Sequence, residues 1–288
     1  MERSDIGSHP GEPVSVIIVN YNAGELLLQC LHSVFSSSVR VEVILCDNAS
    51  ADGSTERATA AFPKLQLIRN PANLGFARAA NEGLERATGK YRLLLNPDCI
   101  LQRDTLEKMT AVLEAHPEAG MAGCRILDPD GSEQRGCRRQ LPDMGNSLAK
   151  ALGRQSSRKT MDLHRAPLPE GPQPVEAISG AFMLTRAEAL EQVGPLDEGY
   201  FLHCEDLDWC KRFHDSGWQI LFVPGVAITH HQGTCSKATP VRVSWHKHQG
   251  MVRYYRKHLA SRHNLLVRGG VIGAIYLRFL ITLASRRS

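Results

Sequence analysis

Apolar positions along the 288-residue chain follow two alternating periods. Val14 to Val19 is a β-branched run, VSVIIV; after NYNAG come Leu27, Leu28, Leu31, Val34 and Phe35, spaced for one helical face. The same unit recurs with Val41 to Cys46, the loop DNASADGS and a short helix near Thr55 to Phe62. It recurs again with Leu65 to Arg69, the loop NPANLG and a helix over Phe76 to Ala87. A fourth strand, Tyr91 to Leu95, ends in NPD, and the next helix opens with Asp104 as N-cap and Glu107 three residues later. Strands alternating with helices imply an α/β domain whose mainly parallel sheet is covered on both faces.

Periodicity then lapses. Residues 127–174, with DPDGSEQRGCRRQLPD, SSRK and PLPEGPQP, predict a long mobile loop or insertion, with a short helix near Met144 to Leu152. Order returns with Val175 to Thr185, a helix from Arg186 to Val193, the segment FLHCEDLDWCKRFHDSG, and two strand-like runs, QILFV and VAITH. The apolar stretch from Asn264 to Ala284 is interrupted by Arg268 and Arg278, leaving nine uninterrupted residues between them. A spanning helix needs about 20 apolar residues, so a basic helix lying in the headgroup plane is expected instead.

Charge sharpens this picture. The net charge of +4 conceals −7 over residues 1–215 and +11 over 216–288, where no Asp or Glu occurs. A basic C-terminus of this kind seeks an anionic surface, membrane lipid or nucleic acid. Trp245, Tyr254, Tyr255, Tyr276 and Phe279 are available to stack on bases, but the apolar run 269–277 serves a membrane interface and not a nucleic acid. A composition of 42% hydrophobic and 22% charged residues excludes a disordered chain, and 24 Gly and 15 Pro without period exclude a collagen-like one. Eight cysteines without a C-x-x-C pair, and an N-terminus (MERSDIGSHPGEP) lacking the apolar core of a signal peptide, lead us to expect a cytoplasmic protein peripheral to the membrane. The expected division is a tail over 1–12, a catalytic domain over 13–240 with 127–174 on the acceptor side, and membrane-associating helices over 241–288.

In an open parallel sheet the ligand lies beyond the carboxyl ends of the strands. Asn20-Tyr21-Asn22, Asp47-Asn48, Asn73-Leu74-Gly75 and Asn96-Pro97-Asp98 follow the four strands in that position. Each cluster alone reads as a turn; together they point to a ligand. No G-x-G-x-x-G or G-x-x-x-x-G-K-[ST] is present, whereas Asp98 is a hard oxygen ligand suited to Mg²⁺ or Mn²⁺. Asp47 either accepts bonds from a base or ribose or caps its own turn. In HCEDLDW, Leu207, Cys210 and Phe213 fit a buried helical face, placing Glu205 and Asp206 at the helix N-terminus, where its dipole keeps Asp206 ionised and ready to accept a proton. VAITHHQG delivers His230 from a strand end into a loop, as a metal ligand or a structural imidazole.

PVSVIIVNYN, CDNASADGS, NPANLGFARAAN, LLLNPD, SGAFMLTR, GPLDEGYFLHCEDLDWCKR and VAITHHQG, in this order over residues 13–258, resemble the inverting family 2 glycosyltransferases, in particular their rhamnosyltransferase-like branch. DPDGSEQRGCRRQLPD is similar to a stretch of the same branch. The resemblance implies the A-type glycosyltransferase fold, a Rossmann-like αβα sandwich, here with a basic helical extension. It implies nucleoside binding by Asn20, Tyr21, Asn22 and Asp47, and a nucleotide and sugar pocket shaped by Asn73, Gly75, Phe76 and Arg78. NPD stands as a D-x-D-like motif whose first position, Asn96, becomes a weaker, neutral donor to sugar or metal in the nucleotide-sugar site, leaving Asp98 as the main carboxylate and His230 (or its neighbour His231) to hold Mn²⁺ or Mg²⁺. Asp206 matches the catalytic base, and Glu205 orients the acceptor or the base. The implied donor is a nucleotide diphosphate-sugar, rhamnose first, and the implied acceptor a polyprenyl-linked glycan. A sugar-nucleotide nucleotidyltransferase is the rival enzyme, but NYNAGELL lacks the basic, glycine-rich loop it needs; a non-catalytic nucleic-acid-binding protein is the rival from another class.

Overall fold

A computed structural model describes residues 13–142, 162–231 and 240–285. Its longer strands are β1 (Val14–Asn20), β2 (Val41–Asp47), β3 (Gln66–Arg69), β4 (Tyr91–Leu95), β6 (Ala119–Leu127), β10 (Phe182–Arg186) and β11 (Gln219–His230). Four two-residue strands complete the set: β5 (Cys99–Ile100), β7 (Arg138–Arg139), β8 (Gln173–Pro174) and β9 (Ala177–Ile178). Nine of them form one sheet with the order β3-β2-β1-β4-β10-β6-β11-β5 and β8 paired to β11, while β7 and β9 pair as a separate ribbon. Every residue of β1 and β10 is buried, so both faces of the sheet centre are covered, as a run such as VSVIIV requires. At the edge, β3 alternates exposed Gln66 and Arg69 with buried Ile68.

Among the described residues the α-helices are α1 (Glu25–Phe35), α2 (Ser54–Ala61), α3 (Phe76–Arg86), α4 (Thr105–Ala115), α5 (Ala187–Val193), α6 (Glu205–Asp215), α7 (Pro240–His258) and α8 (Leu265–Ala284). In α1, Leu27, Cys30, Leu31 and Val34 are buried on the predicted face. Helix α3 presents Ala77, Ala79, Ala80 and Gly83 inward. A Cβ on Gly83 would stand 2.4 Å from the Ile17 side chain, so small residues let this helix lie close on β1 and β2 and bring its N-terminus to the sheet's edge.

Strands β1 to β4 are mutually parallel, with Asn20 level with Asp47 and Asp47 with Arg69. Their polar loops therefore leave on one side, as the alternation of elements implies. Antiparallel β10 intervenes between β4 and β6. QILFV and VAITH are one strand, not two; a register shift between Val223 and Ala227 absorbs Pro224, Gly225 and Val226. Asp104 does occupy the N-cap of α4, but its side chain caps nothing: it pairs with Lys108, and Glu107 accepts from Ser38.

Residues 128–142, expected to begin a mobile loop, are pinned by side chains. Arg138, 2% exposed, bonds Glu133 (3.0 Å), Pro167 O (3.1 Å) and Ala166 O (2.7 Å) and stacks on Phe222. These partners have no period, so periodicity alone could not announce the order. The expected helix near 144–152 lies outside the described residues.

The basic C-terminus forms α7 and α8. Asp208 of α6 is fully buried and receives Lys257 (2.8 Å) and His258 (2.7 Å) from α7, together with Arg212 (3.0 Å) and the Tyr200 hydroxyl (3.3 Å). Asp197 adds contacts to Arg253 (2.6 Å) and Lys257 (2.7 Å). Helix α8 packs on α7 through Trp245 against Tyr276 and Phe279, yet none of its residues is buried. Its 20 residues include an 18-residue stretch with a mean hydropathy of 1.6, long and apolar enough to cross a membrane by length and composition alone.

Candidate active site

A cleft of about 260 Å³ opens at the edge where the four strand-end loops leave. Tyr21, Asn48, Asn73, Gly75 and Phe76 line it from the loops after β1, β2 and β3. Val19 of β1, Asn96, Pro97 and Asp98 of the turn after β4, and His230 at the end of β11 line it as well. Phe201, Leu202 and His203, with Arg242, Val243 and His246 of α7, complete it.

The centre of this cleft is set by strand register. Short β5 runs antiparallel to the end of β11, with His230 opposite Cys99, and His231 N donates to Asp98 O at 2.9 Å. Two residues far apart in the chain are thereby neighbours: His230 Nε2 is 3.1 Å from Asp98 Oδ1 and 3.3 Å from Asn96 Nδ2. Two cis ligands of an octahedral cation with bonds of about 2.1 Å stand about 3.0 Å apart, so this pair fits a divalent ion. The carboxylate suits Mn²⁺ or Mg²⁺ at a diphosphate, and the imidazole favours Mn²⁺ of the two. Cys99 lies in the same cluster, but its thiol donates to Ala181 O, burial and then the nearby Asp98 charge push its pKa far up, and a soft sulfur suits neither Mn²⁺ nor Mg²⁺.

The predicted nucleotide-binding residues divide. Tyr21, Asn73, Gly75, Phe76 and Asn96 line the cleft. Asn20, fully buried, spends its amide on Ser54 (2.9 Å), Thr55 (2.9 Å), Ser50 (3.1 Å) and Asp47 (3.4 Å). It stitches the first two loops together. Asp47, 4% exposed, accepts from Asn20 and Ser50 N. Asn22 adopts φ 55° and accepts from Ala51 N. Arg78 is exposed on α3. These four are not among the residues lining the cleft.

Asn48, beside Asp47, does line it and fixes the third loop: its Nδ2 donates to Asn73 Oδ1 and Gly75 O, and its Oδ1 accepts from Leu74 N. The Asp-Asn pair after β2 was the available signal. Gly75 has φ 89°, and a Cβ there would meet Phe201 O at 2.8 Å. Phe76 N donates to that same carbonyl at 2.8 Å, so glycine lets the third loop dock on the 201–203 wall. Arg242 and His246, one helical turn apart, both pack on the Phe201 ring. Their i, i+4 spacing was legible, but not which surface they would face.

The acidic pair opens α6 as expected, behind His203 and Cys204, both at positive φ. Neither carboxylate is among the cleft-lining residues. Asp206 lies against Gly180, whose neighbour Ala181 accepts from Asn96 N at 3.0 Å. Asp206 accepts from Leu207 N (2.8 Å) and from Arg139 of β7. Burial opposes its charge, but the Arg139 guanidinium outweighs burial and holds the carboxyl below its usual range. The helix dipole inferred from sequence is thus joined by a specific cation. Glu205 behaves oppositely: burial, then the Asp206 charge, push its pKa up, and Oε2 has no hydrogen-bond partner among the described residues. One member of the pair is kept charged and the other is driven toward neutrality.

Comparison with known proteins follows from this geometry. The model of the family described as Glycosyl transferase family 2 matches residues 15–194. An N-acetylglucosaminyl-diphospho-decaprenol L-rhamnosyltransferase of Mycobacterium tuberculosis is 29% identical over 263 residues, covering 86% of this chain and 84% of that protein. The rhamnosyltransferase WbbL of Escherichia coli is 23% identical over 265 residues, covering 87% of this chain and 96% of that one. Among solved structures, a mannosyltransferase from Pyrobaculum calidifontis in complex with GDP-Man and Mn²⁺ superposes with a TM-score of 0.60 at 19% identity, covering 99% of this chain and 79% of that one.

Proposed function

The chain belongs to glycosyl transferase family 2 and has the A-type glycosyltransferase fold, and from that premise we propose that it moves a sugar, rhamnose first among candidates, from a nucleoside diphosphate-sugar to a hydroxyl of a polyprenyl diphosphate-linked glycan, with inversion. Both rhamnosyltransferase relatives are glycosyltransferases, and one is named for an N-acetylglucosaminyl-diphospho-decaprenol acceptor. The observation that carries the finer reading is the Asp98–His230 pair at 3.1 Å in a cleft at the carboxyl edge of the sheet.

In this reading Asp98 and His230 would hold a divalent cation, which when bound would offset negative charge on the diphosphate. Tyr21, Asn48, Asn73 and Phe76 seat the nucleotide and sugar. Asp206, kept ionised by Arg139, takes the proton of the acceptor hydroxyl as that oxygen bonds to the anomeric carbon; the bond to diphosphate breaks on the opposite face, and configuration inverts. Glu205, pushed toward its neutral form, is no nucleophile; it orients the acceptor or the base.

The reading keeps a catalytic unit over 13–240 and a membrane-associating tail over 241–288, with α7 serving both through Arg242 and His246. Exposed Leu265, Leu266, Leu277, Leu280 and Ile281 on α8, with Arg268 and Arg278 in the same helix, suit the headgroup boundary of a cytosolic leaflet. The test is a donor screen with purified protein and a short-chain polyprenyl diphospho-N-acetylglucosamine, scoring nucleoside diphosphate release. Turnover of a rhamnose nucleotide, with an inverted linkage in the NMR spectrum of the product, is expected. No release from any sugar nucleotide, or retained configuration, overturns the reading.

A further inference from the structure

His230 presents two ring nitrogens to different partners, and the residue behind it decides which nitrogen faces the cleft. Gln134, 4% exposed, is a neutral side chain from the aperiodic stretch after β6. Its amide Nε2 donates to His230 O at 2.7 Å and to Asp128 Oδ1 at 2.8 Å. Both are pure acceptors, so the amide cannot be reversed without facing oxygen against oxygen twice. Its Oε1 is therefore the atom 2.8 Å from His230 Nδ1, and being an acceptor it requires a proton on that nitrogen.

A neutral imidazole with its proton on Nδ1 has a bare lone pair on Nε2. That lone pair meets Asn96 Nδ2 at 3.3 Å and Asp98 Oδ1 at 3.1 Å. Two electron-rich atoms at that separation favour a cation between them. Gln134 N also donates to Ile126 O at 2.8 Å, tying this side chain to β6, the strand that pairs with β11. The support is thus built on the sheet and not on a free loop.

We infer that Gln134 is the positioning residue of the cation site: its fixed amide holds His230 as the Nδ1–H tautomer and so keeps Nε2 free for metal. It touches neither substrate nor metal, and it acts through the imidazole it orients. The inference rests on the reading of Asp98 and His230 as metal ligands.

The test combines two measurements on the full-length protein. In long-range ¹H–¹⁵N spectra of ¹⁵N-histidine-labelled, metal-free protein, His230, assigned with His230→Gln, should appear as the Nδ1–H tautomer in wild type. Gln134→Leu removes the acceptor and should abolish that fixed tautomer; Gln134→Glu retains an acceptor toward Nδ1 and, with a proton on its other oxygen donating to Asp128, should preserve it. Mn²⁺ titrations followed by the paramagnetic resonance signal of the free ion, with and without a nucleoside diphosphate, should show affinity reduced 10- to 100-fold in Gln134→Leu. Gln134→Glu should remain within threefold of wild type.

A purely structural role predicts loss of stability in both variants with the His230 tautomer unchanged. Unchanged tautomer and Mn²⁺ affinity in Gln134→Leu overturn the inference, as does a greater loss in Gln134→Glu. If Gln134→Leu fails to fold, by circular dichroism, the Nδ1–H tautomer and Mn²⁺ affinity of Gln134→Glu decide alone. Mn²⁺ affinity unchanged in both His230→Gln and Asp98→Ala overturns the ligand reading itself, and this inference with it. Neither readout depends on turnover, so failure of the donor screen is separable from failure here.

Discussion

Asp208→Asn separates the two aspartates of Glu-Asp-Leu-Asp by role. Asp208 is fully buried, and it receives Lys257, His258, Arg212 and Tyr200. The substitution conserves volume and removes the charge. Breaking a buried ion pair from one side costs about 3–5 kcal/mol, because the partner charges are left behind. Here they have alternatives: Arg212 keeps Val193 O (2.9 Å) and Pro195 O (2.7 Å), and Lys257 keeps Asp197 (2.7 Å). The lower end, about 3 kcal/mol, is therefore expected, which in a protein of this size lowers Tm by roughly 6–12 °C. The acid limb carries a second signature. Burial raises the Asp208 carboxyl, but bonds from His258 and Lys257 outweigh it and hold the pKa below its usual range. Stability from a depressed carboxyl is complete above the unfolded value, near 4, and is lost as pH falls through the folded value. Wild type should lose stability below about pH 4, and the variant should lose less there. Calorimetric melts from pH 3 to 8 measure both effects, and donor titration at pH 7 should show weaker binding as α7, bearing Arg242 and His246, loosens. A Tm within 2 °C of wild type would refute the reasoning and reduce the network to solvated charges.

Asp206→Asn should lower kcat by about 10²–10⁴ while donor affinity measured by calorimetry stays near wild type; turnover within threefold of wild type would remove Asp206 from the base role. Asp98→Ala should weaken nucleoside diphosphate binding chiefly when Mn²⁺ is present, and excess EDTA should abolish transfer; full activity in chelator contradicts this. Truncation after His263 should sharply reduce binding to anionic liposomes while transfer to a soluble acceptor analogue survives, and high salt should weaken full-length binding without eliminating it. Carbonate-resistant insertion with residues 286–287 accessible on the far side would instead show that α8 spans the membrane.

Much of this architecture is written in local periodicity. Short β-branched runs alternating with period-3.6 segments over Val14 to Ala115 specify strands and helices in order, and continuous burial in VSVIIV follows from its being apolar at every position but Ser15. Parallel pairing then puts four polar loops on one edge, so the side of the molecule bearing the cleft was determined by sequence alone. Asp98 and His230 were recognisable as candidate ligands by type and by position at strand ends. Their 3.1 Å approach was decided by the register of two-residue β5 against β11, which no local window encodes. Tertiary packing also assigned near-identical neighbours to different work. Asn20 ties loops together while Asn48 lines the cleft; Asp206 meets Arg139 while Asp208 anchors the C-terminal helix. Gln134 and Arg139 sit where the chain has no hydrophobic period, and their partners are His230 and Asp206, more than sixty residues away. A short window records which face of an element will be buried. Which polar atoms meet across the fold depends on where distant strands return, and burial then enforces those pairings because an unmatched polar group inside the protein costs more than the bond it forgoes.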